Sequence, residues 1–66
     1  MEKEKLYSLG FNFRNGAYVL DLEYQGYISC VSIKGNDLEN ITIDEVKAMI
    51  TKEMKELKDY VRRYAR

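Results

Sequence analysis

The chain contains no histidine, no proline and no tryptophan, and Cys30 is its only cysteine. A single cysteine excludes a disulfide within the chain. A structural zinc site needs about four nitrogen or sulfur ligands, and one thiol without histidine cannot supply them. Asp21 and Glu23 are spaced to share one face of a strand, but a flat solvated face offers no cleft for acid–base catalysis. We therefore expect no enzyme, no cofactor and no metal site.

The chain also lacks net charge and long apolar runs. Its 11 basic and 11 acidic side chains balance, so no overall field attracts it to nucleic acid or anionic lipid. No apolar run approaches the roughly 18 residues of a membrane span, and the first residues lack the apolar core of a signal peptide. A lone thiol suits a reducing compartment. We expect a cytoplasmic protein that does not bind membranes.

A β-hairpin is predicted around Asn15-Gly16, because both residues tolerate the positive φ of a type I′ turn. Its strands cover about residues 6–14 and 17–24. The alternation of side chains then places one apolar face in register, with the pairs Phe13–Tyr18, Phe11–Leu20, Leu9–Leu22 and Tyr7–Tyr24. Four side chains of this face are expected to be buried: Phe11, Phe13, Leu20 and Leu22.

A third strand is predicted over about residues 27–34, after a turn at Gln25-Gly26. A two-residue loop places Val31 and Ile33 on the core face, whereas a three-residue loop with a bulge places Cys30 there instead. The better core residues favour the two-residue loop. In that register three apolar residues gather on the outer face of the sheet and form a candidate partner face: Val19, Ile28 and Cys30.

A C-terminal helix is predicted over about residues 43–65. Thr42 and Glu45 have the spacing of a capping box, and Ile41 and Val46 have that of the hydrophobic staple around it. The expected fold is therefore α+β, a three-stranded antiparallel meander followed by one long helix in the order β-β-β-α.

The predicted helix is longer than the sheet needs, since it runs about 33 Å at 1.5 Å per residue and is expected to cross the strands at an angle. Sixty-six residues form one domain at most, and such small domains usually need a disulfide, a metal or a partner chain. We expect the surplus turns to pack against a second copy, in either helix orientation, because apolar residues recur at coiled-coil spacing. The predicted homodimer interface comprises Ile50, Met54, Leu57, Tyr60, Val61 and Tyr64.

Nucleic-acid binding is the alternative function, because arginines and tyrosines alternate near the C-terminus. Other β-β-β-α modules, including integrase arm-binding domains and plant ethylene-response-factor domains, bind DNA through the outer sheet face. Here Asp21 and Glu23 occupy the centre of that face and would repel phosphates. Nucleic-acid contacts are therefore assigned to the helix end, at Lys58, Arg62, Arg63 and Arg66.

These observations favour a small non-enzymatic module that forms a homodimer and binds or inhibits another protein. Small chains of this style are common among viral and prophage accessory proteins.

Overall fold

The computed structural model describes residues 2–64 and contains one antiparallel sheet with the strand order β1-β2-β3. A long C-terminal helix follows the sheet, so the predicted α+β class and the β-β-β-α order are confirmed. An additional short helix precedes the first strand. The elements are α1 (Lys3–Ser8), β1 (Asn12–Arg14), β2 (Ala17–Tyr24), β3 (Tyr27–Lys34), a 3-10 helix (Gly35–Asn40) and α2 (Ile43–Tyr64).

The first hairpin turns at the predicted residues. Asn15 and Gly16 have φ angles of 52° and 80°, as a type I′ turn requires. The predicted register is confirmed over the three pairs of β1, namely Asn12 with Val19, Phe13 with Tyr18, and Arg14 with Ala17.

The N-terminal half of the predicted first strand is wrong. The strand was expected over residues 6–14, but Lys3–Ser8 forms α1 and β1 begins only at Asn12. The expected pairs Tyr7–Tyr24, Leu9–Leu22 and Phe11–Leu20 are therefore absent from the ladder between β1 and β2.

The reason lies in the end of α1, which is closed by a Schellman motif. The N–H of Phe11 donates to the carbonyl of Leu6 at 3.0 Å, and the N–H of Gly10 donates to the carbonyl of Tyr7 at 3.0 Å. Gly10 has a φ of 100°, which is compatible with this cap and unfavourable in a strand. Leu6 and Phe11, the two residues that this motif usually brings into apolar contact, are 0% and 1% exposed. Capping and burial thus outweigh the alternating pattern.

The second hairpin adopts the favoured two-residue loop. Gln25 and Gly26 have φ angles of 51° and 85°, and β2 pairs with β3 from Tyr24↔Tyr27 to Ala17↔Lys34 without a break. The Gly26 N–H also donates to Glu23 Oε1 at 3.2 Å, which supports the turn.

The core combines side chains from both helices, the sheet and the 3-10 helix. Phe11 and Leu22 are buried as predicted, but Leu20 is only half-buried. Phe13 is 52% exposed, so its predicted burial is wrong; it lies two residues from the turn and contacts the Tyr18 ring edge-on, at 4.8 Å between centroids. The buried residues are Leu6, Phe11, Tyr18, Leu22, Val31, Ile33, Leu38, Val46, Leu57 and Val61.

Helix α2 begins at the predicted cap. The Glu45 N–H donates to Thr42 Oγ1 at 3.1 Å, and the Thr42 hydroxyl donates to Glu45 Oε1 at 3.2 Å. Val46 is fully buried, and Ile41 packs against the core, as the staple predicts. The helix is observed to Tyr64, and Ala65, the predicted last residue, lies outside the described residues.

Candidate protein-interaction surface

Helix α2 lies along β3 and runs antiparallel to it. The Ser29 hydroxyl donates to Glu53 Oε2 at 3.1 Å, and the rings of Tyr27 and Tyr60 are 6.0 Å apart between centroids. Residue numbers therefore rise along α2 as they fall along β3. Helix α2 also contacts β2. Eight residues of β3 extend for about 26 Å, so most of the roughly 33 Å of α2 has the β2–β3 hairpin beneath it.

This alignment corrects the predicted dimer interface. Leu57 and Val61 were expected to pack against a second copy, but they are 7% and 3% exposed within a single chain. Ile50 and Met54 are half-buried and pack against the same core. The expectation assumed that α2 crosses the strands at an angle, and an antiparallel course along β3 instead lets the chain cover this face by itself.

The two tyrosines of the predicted interface remain exposed. Tyr60 and Tyr64 are 51% and 66% exposed, and their ring centroids are 4.8 Å apart. The edge-to-face contact between Tyr60 and Tyr27 extends this ring cluster to β3, where Ile28 is 74% exposed. We call Tyr27, Ile28, Tyr60 and Tyr64 the tyrosine surface.

A groove continues from the tyrosine surface along the open side of β3. Its first part is lined by Tyr27, Ile28, Ser29 and Tyr60 together with Glu53 and Glu56. Its second part is lined by Cys30, Val31 and Ser32 on the strand and by Met49, Lys52, Glu53 and Glu56 on the helix. We call both parts together the edge groove.

The backbone of β3 is unpaired along the edge groove. In a two-residue hairpin the pair next to the loop exchanges both hydrogen bonds, and such pairs then recur at every second residue. Tyr27, Ser29, Val31 and Ile33 therefore bond to β2, whereas the N–H and C=O groups of Ile28, Cys30 and Ser32 point away from it. No strand among residues 2–64 pairs with this side of β3.

The predicted partner face is divided by charge. Val19 is half-buried, whereas Ile28 and Cys30 are exposed, and the register pairs Asp21 with Cys30 and Glu23 with Ile28. These carboxylates separate Val19 from Ile28 on the outer face. Asp21 also forms a 3.2 Å ion pair with Arg14, and both side chains are more than half exposed, so the pair adds little stability.

The cations assigned to nucleic acid are largely engaged within the chain. Lys58 Nζ lies 5.7 Å from the centroid of the Tyr24 ring, and Arg62 forms an ion pair with Asp59. Arg63 lines a shallow depression with Tyr60 and Tyr64, but Glu56 and Asp59 share it. Arg66, the fourth predicted contact, lies outside the described residues.

The remaining polar chemistry is sparse. Burial raises the pKa of the Tyr18 hydroxyl above its ordinary value, and Tyr7 adds to the rise through a hydrogen bond and its charge. Tyr18 is a core residue, 3% exposed, and does not line the edge groove.

Within residues 2–64 we find no group of three or more histidine, cysteine or acidic side chains arranged to hold a metal. No helix of this part of the chain combines the length and the apolar character needed to cross a membrane.

Sequence reasoning missed the helix side of the edge groove, formed by Met49, Lys52, Glu53 and Glu56. Those residues follow from the course of α2 along β3, which no local pattern specifies. The order of the strands does indicate the strand side of the groove, because a three-stranded meander always leaves its third strand at an edge of the sheet. No family model matches the chain, and neither do curated proteins or solved structures.

Proposed function

We propose that this protein is a non-enzymatic protein-interaction module that forms a homodimer and binds or inhibits another protein in the cytoplasm. The observation that carries the proposal is the tyrosine surface. Tyrosine rings supply large contact areas at low entropic cost, and aromatic residues are enriched at protein interfaces. A cluster of three such rings beside an exposed isoleucine is therefore a suitable contact surface.

The charges near this surface favour a protein partner over nucleic acid. Lys58 and Arg62 already have partners, and Glu56 and Asp59 lie beside Arg63. Phosphate recognition depends on cations that are free to replace counterions. Acidic neighbours weaken that attraction, whereas the polar rim of a protein interface accommodates both signs of charge.

The free, exposed thiol of Cys30 supports the proposed location. An exposed cysteine without a partner in the chain persists as a thiol in a reducing compartment. Oxidising conditions would favour its pairing with other thiols.

Affinity capture from the source cell, followed by mass spectrometry, tests the proposal. The bait is the wild-type chain, and the variant carries Tyr60→Ala and Tyr64→Ala together. Tyr7→Ala is the matched control, because Tyr7 is similarly exposed, at 53%, but lies on α1. We expect a protein that the wild type and the control retain and the double variant loses, with all three chains folded by circular dichroism.

Two outcomes would overturn this assignment. One is an identical set of captured proteins for the wild type and the double variant. The other is a shift of duplex or single-stranded oligonucleotides in dilute salt that the double variant abolishes, which would favour the nucleic-acid alternative.

A further inference from the structure

The open edge of β3 lacks the features that usually protect a sheet edge. Natural edge strands are blunted by charged side chains, proline, bulges or short length. This chain has no proline, and β3 pairs with β2 over eight residues without a bulge. The only charged residue of β3 is Lys34, at its end. The outward N–H and C=O groups of Ile28, Cys30 and Ser32 are therefore available to another strand.

We propose that β3 of a second copy pairs antiparallel with this edge, so that two chains share one six-stranded sheet. The inference rests on the proposed homodimer and names the surface that forms it. A two-fold axis at Cys30 lets all three residues with outward N–H and C=O groups form hydrogen bonds to the second copy. It pairs Cys30 with Cys30 of the second copy, and Ile28 with Ser32 of the second copy.

The helix side of the edge groove is complementary to itself in this arrangement. Because each α2 runs antiparallel to its own β3, the two α2 helices run antiparallel to each other above the paired strands. The edge groove extends on α2 from Met49 to Tyr60, so the helices face each other near the middle of this range, at about residue 54. Residues whose numbers sum to about 108 then lie opposite each other.

The side chains on this side of α2 are complementary between two antiparallel copies of the helix. Lys52 faces Glu56 of the second copy, and Met49 faces Tyr60 of the second copy, each contact occurring twice. Met49 and Tyr60 are 36% and 51% exposed in the single chain, and methionine packs favourably against aromatic rings. Such charge and apolar complementarity identifies a second copy, rather than an unrelated strand, as the occupant of the edge.

Charge reversal tests the helix contact, with mass measured by light scattering and sedimentation at micromolar concentration. The wild type should have twice the chain mass of 7.8 kDa. Lys52→Glu and Glu56→Lys should each weaken the dimer by at least about tenfold, because each places like charges opposite one another twice. An equimolar mixture of the two variants should recover the dimer, since both contacts become opposite in charge. Lys47→Glu is the matched control, because it makes the same charge change on the side of α2 that lies next to α1, outside the edge groove.

Thiol cross-linking tests the strand register. Opposed residues of a hydrogen-bonded antiparallel pair have Cα atoms about 5.5 Å apart, within disulfide range. Diamide, which accepts the two electrons and two protons released by two thiols, should therefore link wild-type chains through Cys30. The double variant Cys30→Ser with Ser32→Cys should not be linked, because its two thiols lie roughly 13 Å apart along the strands.

The results separate this inference from the proposed function. A wild-type dimer that ignores the charge reversals, or that cross-links equally through position 32, would overturn β3 pairing while the homodimer stands. A wild-type mass of one chain would overturn both the pairing and the homodimer. Because Tyr60 contacts Met49 of the second copy in this arrangement, the capture experiment decides binding through the tyrosine surface only when the Tyr60→Ala, Tyr64→Ala variant keeps the wild-type mass.

Discussion

Phe11 and Phe13 lie two positions apart and have opposite environments. Phe11 follows the cap of α1 and is 1% exposed, whereas Phe13 lies in β1 and is 52% exposed. Alternation along a continuous strand would have placed both rings on the same face. The strand begins only at Asn12, so Phe11 lies outside it and does not follow the alternation that places Phe13. The difference in burial is therefore a consequence of where α1 stops.

Alanine substitution should separate these two phenylalanines. Phe11→Ala should lower the free energy of unfolding by about 3–5 kcal/mol, since it removes a fully buried ring. Phe13→Ala should cost less, about 1–2 kcal/mol, because the half-exposed ring loses an edge-on aromatic pair and only part of its area is buried. Urea denaturation followed by circular dichroism measures both losses. Equal losses for the two variants would show that Phe13 belongs to the core.

Among the elements, the two hairpins could be predicted and α1 could not. Asn15-Gly16 favours its turn through local backbone preferences, and the apolar pattern selects the register of β3. In contrast, residues 7, 9, 11 and 13 alternate as a strand would, and the six residues of α1 are too few to establish a helical period. The overlooked signal was Gly10, which weakens a strand but suits the position after a helix. The edge groove needed the packing of α2 on β3, a long-range property.

The cap of α1 predicts that L-alanine and D-alanine have different effects on stability at position 10. Gly10→Ala should destabilise the protein by about 1–3 kcal/mol, because an L residue is strained at a φ of 100°. The added Cβ would also lie 3.1 Å from Leu20 Cδ1. D-Alanine at the same position, introduced by chemical synthesis, tolerates positive φ and points its methyl group elsewhere. It should therefore keep most of the wild-type stability in thermal denaturation. Equal destabilisation by both enantiomers would exclude backbone strain as the cause.

At the scale of the whole molecule, α2 completes a core that spans the length of the chain. The protein measures 41 × 22 × 18 Å, and a 22-residue helix accounts for about 33 Å of the longest dimension. Core residues of α2 extend from Val46 near its start to Val61 near its end. The last turns of the helix therefore contribute to the stability of the single chain, and their outward tyrosines remain available for contacts.

The two faces of these last turns should respond differently to the same substitution. Val61→Glu places an unpaired carboxylate at a position that is 3% exposed, which should cost about 3–5 kcal/mol. Tyr64→Glu changes a side chain that is 66% exposed and should change stability by no more than about 0.5 kcal/mol. Urea denaturation at several protein concentrations separates the role of Val61 in the chain from a role in a dimer. If Val61 served only a dimer contact, its variant would be a folded monomer. Dilution would dissociate the wild-type dimer as well, so the difference in unfolding free energy between the two proteins would disappear. A loss that persists at the lowest concentration places Val61 in the core of the single chain.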